Sequence, residues 1–155
     1  MISVLASCSF QLRGDLYAEL DKVLVNSTPS AVKSEKLLNE ILANFEKRAS
    51  EDKSEFLIIN LLSEKSSRRS VLTTASMSAA QYELTIELIF FIAFGDRIIV
   101  PETTLSSRKF FAVSSSNQAA SYEEQLLLQR EMREELLAKV ISMAQYNLAR
   151  IRNST

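Results

Sequence analysis

The feature that most constrains the fold is an alternating stretch, QYELTIELIFFIAF, at residues 81–94. Apolar side chains occupy every second position of it: Tyr82, Leu84, Ile86, Leu88, Phe90, Ile92 and Phe94. A period of two is typical of a β-strand that buries one face. The other face begins polar and ends apolar, so we expect a strand that begins half-solvated and ends covered on both faces.

A tight turn and a return strand follow this stretch. Gly95-Asp96 suits a two-residue hairpin turn of type II′, because glycine adopts a positive φ without steric cost. The return strand runs from Arg97 towards Phe110 and contains Pro101. Because proline cannot donate to a β-ladder, this strand is predicted to lie at a sheet edge or to be bulged there.

The first half of the chain predicts a strand, a helix and a second strand. Asp21–Asn26 favours a short strand, and Thr28 and Pro29 are typical of a helix N-cap and first helical position. The helix is expected to continue to about Ala49. The apolar run Phe56–Leu62 then predicts a central strand covered on both sides.

The second half ends in a helix. Ser121–Glu124 has the spacing of a capping box and predicts a helix from Tyr122 to about Ala149, with Arg130 and Arg133 on its apolar side. The fold class is therefore α+β, with two amphipathic helices on one face of a small mixed, largely antiparallel sheet in the order β-α-β-β-β-α. No helix is left to cover the second face of that sheet.

Composition excludes several kinds of chemistry. The 155 residues include no histidine, one cysteine and two glycines, so His-dependent catalysis, thiolate metal clusters and Gly-rich phosphate loops are excluded. A net charge of −1 gives no nucleic-acid footprint. We expect a protein that is not an enzyme and has no cofactor, no metal and no nucleic-acid partner.

The single cysteine lies in a stretch that resembles a lipobox. Leu5-Ala6-Ser7-Cys8 places leucine at −3 and small residues before the cysteine, as in lipoproteins that are cleaved and acylated at that thiol. Residues 1–8 are then a remnant of the signal peptide ending at a lipidated Cys8. Residues 9–150 form the single domain, and residues 151–155 are expected to be a disordered tail.

Several segments in order resemble the LPS-assembly lipoproteins of the LptE (RlpB) family. Cys8–Gly14, CSFQLRG, is similar to the family's opening CGFxLRG, and Ala80–Leu84 resembles its A-x-Y-x-L strand start. Pro101–Phe110, the helix start at Ala119–Gln125 and Arg130–Met132 resemble its later half. The resemblance covers roughly residues 8–149.

This resemblance implies a function and partners. LptE proteins are α+β sandwiches that plug the lumen of the LptD β-barrel, help to assemble it, and assist insertion of lipopolysaccharide into the outer leaflet of the outer membrane. The barrel wall would then cover the bare sheet face. The expected location is periplasm-facing, anchored to the outer membrane by lipid.

Two sets of residues are candidates for these contacts. The candidates for lipopolysaccharide contact are basic residues placed in loops and at strand ends, where arginine can bind phosphate bidentately: Lys65, Arg68, Arg69, Arg108 and Lys109. The candidates for docking to the barrel are Phe10, Leu12, Arg13, Ile89 and Phe91.

Two alternative functions remain open at this point. The chain could be another periplasmic lipoprotein adaptor, such as a pilot protein for a different outer-membrane complex, that shares only the anchor. It could also be a cytosolic α+β domain in which Cys8 is an ordinary thiol.

Overall fold

The computed structural model describes residues 22–43, 56–73, 79–114 and 116–154. The elements in chain order are β1 (Val23–Ser27), a 3₁₀ turn (Pro29–Ala31), α1 (Val32–Ala43), β2 (Leu57–Thr73), β3 (Ala79–Phe94), β4 (Arg97–Ser114) and α2 (Gln118–Asn153).

The strands form one four-stranded sheet in the order β1-β2-β3-β4. β1 pairs with β2 in parallel, and the β2–β3 and β3–β4 pairs are antiparallel. The predicted α+β class and mixed, largely antiparallel sheet are confirmed. The parallel placement of β1, which the sequence pattern left undetermined, follows from α1, which carries the chain back between β1 and β2.

The core lies between one face of the sheet and the two helices. The alternating β3 residues Leu84 to Ile92 are fully buried, and they meet Leu38 and Leu42 of α1 and Leu137 of α2 in one apolar cluster. The period of two therefore predicted the buried face of β3 correctly.

A bulge divides β2 into two parts. The pairing with β3 shifts between Leu61 and Ser63, so one extra residue lies on the β2 side. Before the bulge, odd-numbered residues such as Leu57 and Ile59 are buried under the helices. After it, even-numbered residues from Glu64 to Ser70 face the helices, because an offset of one residue exchanges the two faces of a strand. A second shift follows between Ser70 and Leu72.

The length and covering of β2 differ from the expectation. The polar stretch Ser63–Ser70 continues the strand as far as Thr73, because the long β3 provides a pairing partner for it throughout. Ile58 and Asn60 are half-buried, whereas their neighbours Leu57 and Ile59 are buried. The prediction of a strand covered on both sides was therefore wrong for the described residues.

Pro29 begins the 3₁₀ turn that runs directly into α1, as predicted, whereas the start of the second helix shifts by a few residues. Thr28 precedes the 3₁₀ turn but makes no side-chain cap, because its hydroxyl donates to the carbonyl of Leu62 at 2.6 Å. The second helix begins at Gln118, with Asn117 as N-cap accepting from the amide of Ala120 at 3.3 Å. Ser121 lies one turn inside the helix and is buried, so it cannot act as the predicted cap.

The turn and the edge strand agree with the sequence. Gly95 has a φ of 56°, as the primed hairpin turns require at their first central residue. Pro101 lies in β4 at the edge of the sheet, beside a register shift between Phe90 and Ile92. The two-residue hairpin turn and the edge position of β4 are therefore confirmed.

The C-terminal helix is longer than expected. α2 continues to Asn153, where its last turn carries Arg150 and Arg152, so residues 151–153 are helical and do not belong to a tail. Basic residues there complement the negative end of the helix dipole. In the part of the chain that is described, no helix combines the length and apolarity that a bilayer-spanning segment needs.

Phe90 and Phe110 give a matched test of this packing. Phe90 is fully buried, whereas Phe110 on the adjacent strand is 52 % exposed. We expect Phe90→Ala to lower the free energy of unfolding by about 3–5 kcal/mol through the cavity it leaves, and Phe110→Ala by less than about 1 kcal/mol. Urea denaturation followed by circular dichroism measures both, and similar losses would contradict this core.

Candidate functional site

One face of the sheet has no helix over it among the described residues. We call it the open face: it carries the β3 side chains that alternate with the buried set, together with their neighbours in β2 and β4. It has an apolar sector and a charged sector. These two sectors are the candidate functional site.

The apolar sector lies where β1 to β4 are all present. Leu24 of β1 pairs with Ile58 of β2, and Ile58 pairs in turn with Ala93. Ile89 and Phe91 are half-buried in the same sector, and Ile98 of β4 is 60 % exposed. The expectation that β3 ends covered on both faces is therefore wrong for the described residues. Packing between neighbouring side chains of one face buries Ile89 and Phe91 only in part.

The charged sector is centred on Glu83. Its carboxylate accepts from Arg69 of β2 at 3.0 Å and lies 3.8 Å from the guanidinium of Arg108 in β4. The two arginine side chains are 72 % and 63 % exposed, whereas that of Glu83 is 9 % exposed. Two guanidinium groups thus share one carboxylate, which leaves a net positive charge at the surface.

Lys65 extends the charged sector along β2. It is exposed and lies directly across from Glu87, and it makes no ion pair with any described residue. Its ammonium group is therefore available to a ligand.

Arg68 and Lys109 lie on the other face. Arg68 stacks over the ring of Tyr82, with its Cζ 3.9 Å from the ring centroid, and donates to Gln125 of α2 at 2.9 Å. Lys109 contacts Glu135 and Glu131 of α2 at 2.7 and 3.1 Å. Both side chains contact α2. Successive side chains of a strand point to opposite faces, so their neighbours in sequence point to the open face.

The structure therefore separates the five candidates for lipopolysaccharide contact. It brings Arg69 and Arg108 together and places Lys65 on the same face, but it places Arg68 and Lys109 on the helix side of the sheet, in contact with α2. All five lie within strands, not in loops.

The remaining candidates lie outside the described residues. These are the lipidation site and the first three docking residues: Cys8, Phe10, Leu12 and Arg13.

Sequence reasoning missed a polar seam between β2 and α2. After the bulge, Ser66 accepts from Gln129 at 3.4 Å, and Glu64 accepts from Nε of Arg133 at 2.8 Å. Ser34 of α1 donates to the second oxygen of Glu64 at 2.5 Å. Arg133 was predicted on the apolar side of α2, and there it forms an ion pair in which the side chains are 10 % and 5 % exposed.

Arg130 behaves differently from Arg133. Its side chain is 61 % exposed and pairs with Glu134 at 3.0 Å and with Glu40 of α1 at 3.5 Å. Pairs this exposed contribute little to stability. Across the described ranges, no group of histidine, cysteine or carboxylate side chains has the arrangement of a metal site.

Comparison by sequence finds no relatives. No family model matches the chain, and no curated protein matches it.

Three of the solved structures that this fold resembles are bacterial lipoproteins. Rare lipoprotein B from Shewanella oneidensis matches with a TM-score of 0.58 and 19 % identity, over 86 % of this chain and 95 % of that one. A minor lipoprotein from Acinetobacter baumannii gives 0.61 and 15 %, over 83 % and 94 %. An uncharacterised lipoprotein B from Nitrosomonas europaea gives 0.60 and 14 %, over 85 % and 87 %.

The chain has the fold of these lipoproteins. The resemblance to the LptE (RlpB) family is thereby confirmed at the level of the fold, and it extends over nearly all of the Shewanella and Acinetobacter chains.

The contacts of Lys109 predict a pH dependence of stability. Its hydrogen bond to Glu135 raises the pKa of Lys109 above 10.5, and the same bond, helped by Ser107, lowers the pKa of Glu135 below 4.5. A carboxyl whose pKa is lowered in the folded state stabilises that state at pH values above its unfolded pKa. This stabilisation is lost as the pH falls through the pKa of the folded state. A lysine whose pKa is raised in the folded state stabilises that state at pH values below its unfolded pKa. This stabilisation is lost as the pH rises through the pKa of the folded state.

We expect Lys109→Met to lower Tm at pH 7, and to lower it less at an acid pH below the lowered pKa of Glu135, where that carboxyl is protonated in both states. Lys33→Met, which removes an exposed lysine of α1, is the matched control and should change Tm little at either pH. Thermal melts followed by circular dichroism measure this. An equal loss at both pH values would mean that the ion pair contributes nothing.

Proposed function

We propose that the protein is a lipid-anchored component of lipopolysaccharide assembly in the outer membrane. In this role it plugs the LptD β-barrel, helps to assemble it, and assists insertion of lipopolysaccharide into the outer leaflet. It acts by binding and by occupying space, not by catalysis.

The observation that carries this proposal is the agreement of two independent signals. The segments from Cys8 to Met132 resemble the LptE family in order, and the fold resembles a rare lipoprotein B over 95 % of that chain. The first signal depends on local residue identity and the second on topology. At 19 % identity neither follows from the other.

The apolar sector supports docking to a wall of another protein. Leu24, Ile58, Ile89, Phe91 and Ile98 form a contiguous apolar strip on a face that the two helices leave bare. Contiguous apolar surface on a soluble domain marks an interaction site when it exceeds a few hundred Å². The inner wall of a β-barrel can cover such a strip.

The anchor follows from the sequence around Cys8. A diacylglycerol on the thiol and an acyl chain on the amine would bury two or three hydrocarbon tails. At about 0.8 kcal/mol per buried CH₂, two tails hold a domain at a bilayer where one tail does not.

The charged sector supports contact with lipid A phosphates. A phosphate that approaches Arg69 and Arg108 competes with Glu83 for both guanidinium groups, and Lys65 adds a third cation on the same face. Arginine binds phosphate through two parallel hydrogen bonds, so two arginines together can hold one phosphate firmly.

Co-expression with the cognate LptD barrel tests the docking role. We expect the wild-type chain to co-purify with the barrel. The double variant Ile89→Lys with Phe91→Lys should lose the complex, because two lysines would be pressed against an apolar wall without partners.

Leu127→Lys is the matched control. Leu127 is 68 % exposed on α2, so its substitution makes the same change in chemistry away from the open face. Circular dichroism establishes that each variant is folded. Failure of the wild type to form a complex would refute the proposed function. If Leu127→Lys loses the complex and the double variant keeps it, the open face is not the docking surface.

Binding to lipid vesicles tests the contact with lipid A. With phosphatidylcholine vesicles that contain lipid A, we expect Arg69→Ala and Arg108→Ala each to weaken binding about tenfold, the loss of one charge-assisted contact. Glu83→Gln should strengthen it, because both guanidinium groups lose their competing carboxylate.

Lys109→Ala should leave this binding unchanged, since Lys109 is held by α2 on the other face. Vesicles with dephosphorylated lipid A provide the second control. Equal binding to both kinds of vesicle would show that the phosphates are not what the protein recognises.

A further inference from the structure

β2 has a pairing partner on its outer edge over only a part of its length. β1 pairs with Leu57 to Leu61 and ends at Ser27. The amide of Thr28 then donates to the carbonyl of Leu61 at 3.1 Å, and Pro29 starts the 3₁₀ turn that takes the chain off the sheet. Proline has no N–H with which to continue the ladder.

The rest of this edge is open in the part of the chain that is described. We call Ser63–Val71 the free β2 edge; β3 pairs along its other side. Every residue of 65–71 is exposed, whereas Leu57, Ile59 and Leu61 beside β1 are buried. At about 3.3 Å per residue the free edge is roughly 30 Å long, and alternate residues direct their N–H and C=O groups outward.

The charges of the free β2 edge select what can pair with it. Lys65, Arg68 and Arg69 are exposed along it, and its one carboxylate, Glu64, is buried in the ion pair with Arg133. On the helix side Arg68 is stacked over Tyr82 of β3 and bound to Gln125 of α2. An incoming strand therefore meets the two cations of the open face, Lys65 and Arg69. Opposite charges across neighbouring strands stabilise pairing and like charges oppose it.

These charges disfavour a second copy of the chain. If two free edges paired antiparallel about Ser67, Lys65 of one copy would lie opposite Arg69 of the other, and the reverse pair would form as well. Basic side chains on an exposed edge are a common protection against such self-association. The same side chains attract a strand that carries carboxylates.

We propose that the free β2 edge binds an extended acidic segment of another protein by strand addition. Backbone hydrogen bonds along Ser63–Val71 supply affinity, and Lys65 and Arg69 supply selectivity for carboxylates. The proposal does not depend on the proposed function, since it uses the edge of the sheet and not the apolar sector of the open face.

A nine-residue peptide in which glutamate alternates with valine is the probe. We expect the full chain to bind it, and to bind the analogue with lysine in place of glutamate at least tenfold more weakly. The same acidic peptide, N-methylated at two adjacent central residues, keeps its charge but cannot pair along either edge. It should also bind at least tenfold more weakly. Fluorescence anisotropy with an uncharged dye measures all three.

Lys65→Glu should weaken binding of the acidic peptide roughly five- to tenfold, because it reverses one cross-strand charge pair. Lys33→Glu makes the same change in net charge on α1, away from the edge, and should leave the affinity within about twofold. Because Lys65→Glu lies directly across from Glu87, circular dichroism must establish that this variant is folded before its affinity is compared.

Hydrogen exchange locates the peptide. Bound peptide should protect outward-facing amides within residues 63–71 and leave those of β4 unchanged. Equal binding of the N-methylated peptide would mean charge attraction without strand addition, and would overturn the proposal. Slow exchange of these amides without peptide would also overturn it. Slow exchange without peptide would mean that another segment of this chain already pairs with the free β2 edge, or that a second copy does if sedimentation shows a dimer.

Discussion

The bulge after Leu61 determines which side chains of β2 face the helices and which face outward. An offset of one residue in a strand exchanges its two faces. Before the bulge, Leu57, Ile59 and Leu61 enter the apolar core. After it, Glu64 and Arg68 reach α2, and Lys65 and Arg69 reach the open face. Without that one extra residue, the two sets of charged side chains would exchange places.

The buried ion pair of Glu64 and Arg133 fixes this arrangement. Removing two charges from water is costly, so such a pair gives little net stability, but a partner left alone is strongly destabilising. Arg133 and Ser34 both donate to Glu64, which joins α2, β2 and α1 at one point. A slip of β2 by one residue would leave Arg133 buried without its carboxylate. The pair therefore favours one register over its neighbours.

Features that depend on local sequence were predictable. The period of two in β3, the glycine of the turn and the proline of β4 act within a few residues, and each prediction is confirmed. The continuation of β2 was not predictable, because serine, lysine and arginine have little intrinsic preference for a strand. It becomes a strand since the long β3 pairs with it. The helix start at Asn117 depends on where β4 ends, and Ser121 offered an equally good cap in the sequence.

The candidate site was predictable in residue type but not in placement. Five basic residues were foreseen, but which of them meet depends on the pairing of Arg69 with Glu83 and on the parity set by the bulge. Arg69 and Lys65 then belong both to the charged sector and to the free β2 edge. A phosphate and an acidic strand would compete for the same cations, and competition of this kind is reciprocal. The apolar sector shares neither residue, so docking to a barrel wall and pairing along the edge are compatible.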